Sequence, residues 1–414
     1  MSNFITSGTT ACSCFGTGVK KSTLTRIVYI FFFLLVSVVA YVMSYWTFSW
    51  FNNIDVLKVC MDNDECVGTL VVFRLTFGLA TYHILLALVM IGVQNTFDTR
   101  AKFQDGWWPI KILLLAGIIL ASFFIPNKFF VVYGWIAIFG AALFIIIQLV
   151  LLVEFAYSLN EGCVARIEEE GHYSKRWYFT LLVLTFGSVL AAIAGCVLLL
   201  VFFGKCNINQ FFIVFNMAIS LIIGVLSINE KVREYRPSSG LFQSGVVMLY
   251  STYLVYSAIN SEPASMCSTF ANSNPRESTI IIGAVFTIIS VCYSAFRASD
   301  SNELLGSDGH SHEYESLPNL DTGDEDGRLE DDECSHVTYN YTFFHITFAL
   351  GAMYIGMLLT NWSTIGGVSS STSLVSVDSG LVSVWVKMIS SWLVNLLYLW
   401  TLVGPLLLPN REWH

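Results

Sequence analysis

Of the chain's 414 residues 55% are hydrophobic and only 12% charged, where a soluble chain of this size carries about 25% charge. A polytopic membrane protein is expected, and 29 Gly against 8 Pro fits helices packed through small residues better than a β-barrel. The net charge of −9 makes nucleic acid an implausible partner and otherwise says little, because most of the acid sits in one loop.

Residues 1–26 read as a cytosolic N-terminal segment. Cys12 and Cys14, close to the membrane, are either S-palmitoylation sites or idle. Lys20, Lys21 and Arg26 precede the first apolar run, Ile27 to Phe48, which reads as a signal anchor rather than a cleavable signal peptide. Apolar runs of spanning length predict ten helices, at 27–48, 68–95, 109–126, 129–159, 177–203, 207–229, 241–260, 278–297, 341–360 and 384–408. The first eight occupy 27–297 and the last two 341–408. Lys and Arg accumulate in alternate loops, which predicts cytosolic termini, the short C-terminal one being 409–414.

The run from Phe129 to Leu159 is too long for a simple crossing. It has about 31 residues with one charge, Glu154, and would extend about 46 Å as a helix against a hydrocarbon core of about 30 Å. An oblique helix is expected, with Gly134, Ala137 and Ala141 spaced to admit a close neighbour.

Among the predicted outer loops, Cys60 and Cys66 could close one small disulfide loop and Cys206 could join Cys267; unpaired thiols are the alternative. Asn361 heads a glycosylation sequon against the membrane on the same side. The segment 298–340 is acidic and expected to be disordered: thirteen acids between Asp300 and Glu333 face the single Arg328. Within it Asp300, Leu304 and Leu305 fit the acidic dileucine pattern that clathrin adaptors read in cytosolic segments. His310 and His312 lie there too, but a flexible loop offers no fixed geometry, and no metal site is expected.

Ionisable groups inside spans are costly and mark sites. Arg74 and His83 in the second span, Glu154 in the fourth and Lys387 in the tenth are the candidates for contact with a lipid headgroup or substrate. Lys111 sits near a boundary and is expected to snorkel to the interface, and Trp107 and Trp108 to anchor there. The chain contains no P-loop, HExxH or GxSxG motif and no acid pair at fixed helical spacing, so neither an enzyme nor a cofactor is expected.

Several blocks together resemble the serine incorporator family. They are Lys21-Ser-Thr-Leu-Thr-Arg26, Asp105-Gly-Trp-Trp-Pro-Ile-Lys111, Ile125-Pro-Asn127, and Ile147-Gln-Leu-Val-Leu-Leu-Val-Glu-Phe155 in the long run. Further on come Ser244-Gly-Val-Val-Met-Leu-Tyr-Ser-Thr-Tyr253, Ser261-Glu-Pro263, Tyr341-Thr-Phe-Phe-His345, Thr360-Asn-Trp362 and Trp385-Val-Lys-Met-Ile-Ser-Ser-Trp392. The N-terminal segment departs from the family in having few cysteines. The resemblance implies an all-α protein of about ten helices, in two bundles separated by a long oblique helix, with lipid-facing grooves between them. It also implies a role in supplying serine-derived lipids, phosphatidylserine and sphingolipids, or ATP-independent scrambling of phospholipids. Some animal members of the family reduce retroviral infectivity. The expected partners are membrane phospholipids, sphingolipids and serine, in the plasma membrane or the endomembrane system (Golgi, endosome, vacuole or ER). A secondary carrier of serine and a scaffold for lipid-synthesis enzymes are the alternatives; no self-similarity between the halves supports the former.

Overall fold

The computed structural model describes residues 21–45, 64–170, 175–235, 240–262, 275–297, 337, 339–362, 364–365, 377–378 and 381–407. The described residues are almost entirely helical. They form α1 (Lys21–Tyr45), α2 (Asp64–Val89), α3 (Thr99–Asp105), α4 (Trp108–Ser122), α5 (Asn127–Glu170), α6 (Lys175–Phe203), α7 (Asn207–Ser227), α8 (Glu230–Tyr235), α9 (Leu241–Ile259), α10 (Pro275–Arg297), α11 (Tyr341–Leu359) and α12 (Leu381–Leu407). A two-residue antiparallel ladder, Thr364–Ile365 with Val377–Asp378, is the one strand pairing among them. Helices are what a bilayer requires, since each then satisfies its own backbone.

Eight of these helices are long and apolar enough to cross a membrane, or nine if the bent pair α3–α4 is one span. The bend of 76° has a local cause. Gly106 and Trp107 interrupt the helix, Trp107 sits in the left-handed region at φ 63°, and Pro109 in the first turn of α4 cannot donate back across the break. The expected span 241–260 differs from the rest. It does form a helix, α9, but one containing Gln243, three Ser, Thr252 and three Tyr, and it is not apolar enough to count as a span. No residue of α9 is exposed, so its environment is protein rather than lipid and hydropathy is not what holds it.

The long helix is longer than its apolar run. α5 has 44 residues, about 66 Å of helix, because Asn160 to Glu170 continue it with charged residues while Cys163 stays buried. Pro126 marks its start. Ala137 and Ala141 are buried as expected, but the glycine that admits a neighbour is Gly140: a Cβ there would strike Met353, whereas one on Gly134 would meet open space.

The chain divides into two compact units: residues 1–40, 74–125 and 291–352 make the first, and 41–73, 126–290 and 353–414 the second. In the first, Phe33 packs edge-on to Phe348 and Tyr29 against Phe344 and His345. Gly78 lets α2 approach α4, where a Cβ would come within 2.8 Å of Ile119. The second unit is built around α9, which packs against α5, α6, α7 and α12. Its polar side chains bond to almost every neighbour. Ser244 meets Tyr398 at 3.0 Å, Tyr250 donates to Gln148 at 3.1 Å, Asn216 donates to Thr252 at 3.4 Å and Tyr256 meets Ser278. Gly245 faces Ser188 and Val189 of α6 with no room for a side chain. The outer face of α6 carries exposed Tyr178, Phe179, Phe186, Leu190 and Val201, as a lipid-facing helix should.

Candidate functional site

The four intramembrane candidates are not gathered in one place. Arg74 and His83 belong to the first unit, Glu154 and Lys387 to the second. Arg74 is fully buried on α2, and its Nη2 donates to the carbonyl of Ile125 at 3.3 Å. Glu154 is half-buried on α5.

Lys387 is buried to within 1% on α12. Its Nζ donates to the carbonyl oxygen of Ser257 at 2.9 Å and to Oγ of Ser261 at 2.6 Å, and lies 4.9 Å from the centre of the Trp362 ring. An ammonium has three donors, so one remains, and no carboxylate lies within ion-pair distance of it among the described residues. Trp362 is itself buried at φ 58°, and its indole Nε1 has no hydrogen-bond partner among the described residues. Three separate stretches, those of Ser261, of Trp362 and of Lys387, thus converge on one cation and one idle N–H. Beside them Glu262 accepts from Nδ2 of Asn209 at 3.1 Å. Partial burial raises its carboxyl above the ordinary range, and the Asn209 hydrogen bond opposes that.

A second polar cluster lies in the first unit. Lys111 does not snorkel: it is fully buried, with Nζ donating to the backbone oxygen of Gln104 at 2.6 Å. The rings of Trp108, Tyr29 and Phe103 lie 4.2, 5.1 and 5.3 Å from that nitrogen. The cage is possible because the break at Gly106 turns α4 back over α3. Trp108 therefore forms a wall for a buried cation, whereas Trp107 is 54% exposed. Gln104 donates through Nε2 to Tyr339 at 3.2 Å, its Oε1 lies 3.0 Å from Nε2 of His345, and Nδ1 of His345 lies 3.0 Å from Nδ1 of His83. Arg26 stacks over Tyr339 and donates to the carbonyl of Ala295 at 3.0 Å.

The sequence reading does not single out Gln104, Ser257, Ser261, Trp362 or His345. His345 carried the same signal as His83, an ionisable group within an apolar run. Gln104, Ser257 and Ser261 are ordinary residues whose partners here lie more than a hundred positions away, and Trp362 lies 25 positions before Lys387. Cys66 and Cys206 are disulfide-bonded, while Cys60 and Cys267 lie outside the described residues, as do Asp300, Leu304, Leu305 and all of 298–336. Asn361 is half-buried at φ 53°, and Ser363 of its sequon is not described. Among the described residues no three His, Cys, Asp or Glu side chains are grouped to hold a metal.

The family model for serine incorporators matches residues 3–411. The chain belongs to the serine incorporator family. A protein named "Probable serine incorporator" from Dictyostelium discoideum is 67% identical over 409 residues, covering 95% of this chain and 96% of its own. "Serine incorporator 3" of Bos taurus is 35% identical, with 97% and 94% covered, and "Membrane protein TMS1" of Saccharomyces cerevisiae is 34% identical, with 94% and 90% covered. The blocks that meet at Lys387 and at Gln104 thus belong to a serine incorporator chain.

Proposed function

We propose that this serine incorporator moves phospholipid between leaflets without nucleotide, supporting the supply of serine-derived lipids, and that Lys387 contacts the phosphate or carboxylate of the headgroup. The observation that carries this reading is a buried ammonium with one free donor and no carboxylate partner among the described residues, beside the idle N–H of Trp362. A charge left uncompensated in a membrane interior is expensive, so it is retained where it meets an ion in transit. Phosphate and carboxylate oxygens both accept from an ammonium and an indole N–H, and the acyl chains need no polar partner. The reading is non-enzymatic. It includes both termini in the cytosol, a location in the plasma membrane or endomembranes, and bridges from Cys60 to Cys66 and from Cys206 to Cys267.

The test is exchange of fluorescent phospholipid between leaflets in liposomes holding the purified chain without nucleotide. Acceleration by wild type, loss of most of it in Lys387→Gln and retention in Lys387→Arg is expected. Equal rates in wild type and Lys387→Gln would remove Lys387 from the pathway. No acceleration by folded wild type would favour a second reading that the same cation supports, binding of serine through its carboxylate, which uptake of labelled serine into the same liposomes would reveal.

A further inference from the structure

The Lys387 site has a second pole. We propose, resting on the Lys387 reading for the anionic end alone, that Glu262 and Asn209 form an acceptor end that binds the ammonium of a zwitterion. The ligand is then one that carries an unmethylated ammonium beside its phosphate or carboxylate.

Two opposite charges stand next to each other here without pairing. Lys387 donates to Oγ of Ser261 at 2.6 Å, and Glu262 is the next residue along the chain, yet no ion pair joins the two. Glu262 instead accepts from Nδ2 of Asn209 at 3.1 Å. A carboxylate only accepts, so the amide nitrogen of Asn209 faces it and Oδ1 points away. Asn209 is fully buried, and that Oδ1 has no hydrogen-bond partner among the described residues. The depth is right as well. Phe212, one turn on from Asn209 in α7, packs edge-on against Trp385 at 5.6 Å, and Trp385 is two residues before Lys387 in α12. An idle acceptor, a half-buried carboxylate, an idle indole N–H and an ammonium with a donor to spare thus gather about Ser261 and Lys387.

The two ends are complementary to one class of ligand. A bare anion would satisfy Lys387 and Trp362 and leave Glu262 and Asn209 as they are, and a bare cation would do the reverse. A molecule with ammonium and anion a few bonds apart serves both. Its N–H groups donate to the carboxylate and to Oδ1 of Asn209, and its oxygens accept from Nζ and the indole, so four groups that the fold leaves without a full set of partners are satisfied together. The ethanolamine and serine headgroups have this form, as does free serine. A glycerol headgroup has no ammonium, and choline has no N–H. Choline would need an aromatic face instead, and Lys387 already lies 4.9 Å from the centre of the Trp362 ring. Glu262 is half-buried where Asn209, Trp362 and Lys387 are buried, so the ligand enters past the carboxylate.

The experiment titrates the full chain in detergent with short-chain phospholipids that share their acyl chains and differ in headgroup, reading apparent Kd from the thermal midpoint. The headgroups are ethanolamine, its mono-, di- and trimethylated forms, serine and glycerol. Wild type should bind the ethanolamine and serine lipids about tenfold tighter than the choline and glycerol lipids, as the loss of a charge-assisted hydrogen bond requires, with affinity falling stepwise along the methyl series. Glu262→Gln, which still accepts from Asn209, should bring all of them within about twofold of one another, and Glu262→Asp should keep the preference. Lys387→Gln should weaken all of them alike. Equal affinities along the methyl series in wild type, a measurement that needs no variant, or a preference that survives Glu262→Gln, would overturn the acceptor end and leave Lys387 in place. Unchanged affinities in Lys387→Gln with the preference intact would instead remove the Lys387 reading and keep the acceptor end. Displacement of the serine lipid by free serine would assign the site to the amino acid, and no displacement to the headgroup; both support the ammonium assignment.

Discussion

Gln104 holds the polar cluster of the first unit together, and Gln104→Leu tests whether that cluster matters to the fold. Leucine keeps the bulk but removes the acceptor for His345 Nε2–H and the donor to Tyr339, at 3.0 and 3.2 Å. The backbone oxygen that receives Lys111 is untouched. Hydrogen bonds between membrane helices contribute about 0.6 kcal/mol on average and up to about 1.7, so the loss of two predicts about 1–3 kcal/mol. At about 2–4 °C per kcal/mol, the thermal midpoint in detergent should fall by a few to about 10 °C. Gln104→Glu keeps an acceptor toward His345 and adds a negative charge near Lys111, so it should fall less. The His345→Leu change provides the cycle: added to Gln104→Leu it should cost less than it does alone. A Gln104→Leu midpoint within 1 °C of wild type, or full additivity of the two changes, would show that the cluster is not a coupled unit.

Adjacent tryptophans should behave oppositely. Trp108→Ala removes both packing and the 4.2 Å contact with Lys111 and should cost about 3–5 kcal/mol, whereas Trp107→Gly relieves a left-handed residue and should be neutral or stabilise by about 1 kcal/mol; midpoints of the two variants compare them directly. The raised carboxyl of Glu262 gives a pH test outside the membrane spans. Its folded form holds the proton more tightly than the unfolded chain, whose value is near 4.3, so stability is greatest below that value and declines as pH rises through the raised folded value. Midpoints measured from pH 4 to 7 should decline in wild type relative to Glu262→Gln, and parallel curves would count against the burial of this group.

Hydropathy alone located the helices, because lipid selects apolar residues over a length set by the bilayer. It under-read α5, since Asn160 to Glu170 are helical for reasons other than lipid, and it located α9 without showing that its neighbours are protein. Lys387 and His83 were legible as intramembrane ionisable groups. Their partners were not: Ser257 is 130 positions from Lys387 and His345 is 262 from His83, and a serine hydroxyl or a backbone oxygen leaves no mark in a sequence until the fold brings it near. Lys111 misled for the same reason. Its position near an apolar boundary suggests the interface, and only the break at Gly106, which turns Trp108 over it, explains the burial.

The polarity of α9 has a consequence for how the chain is made. A helix carrying Gln243, three serines and three tyrosines gains little from entering hydrocarbon alone, on the scale by which nascent segments partition into the bilayer. Its stabilising partners on α5, α6 and α7 precede it in the chain and are apolar enough to enter by themselves. The order of synthesis therefore supplies a finished receptacle before α9 emerges, and α12 closes over it last. A defect in α6 or α7 should be felt first as failed insertion of α9, during synthesis, rather than as weaker packing of a completed protein.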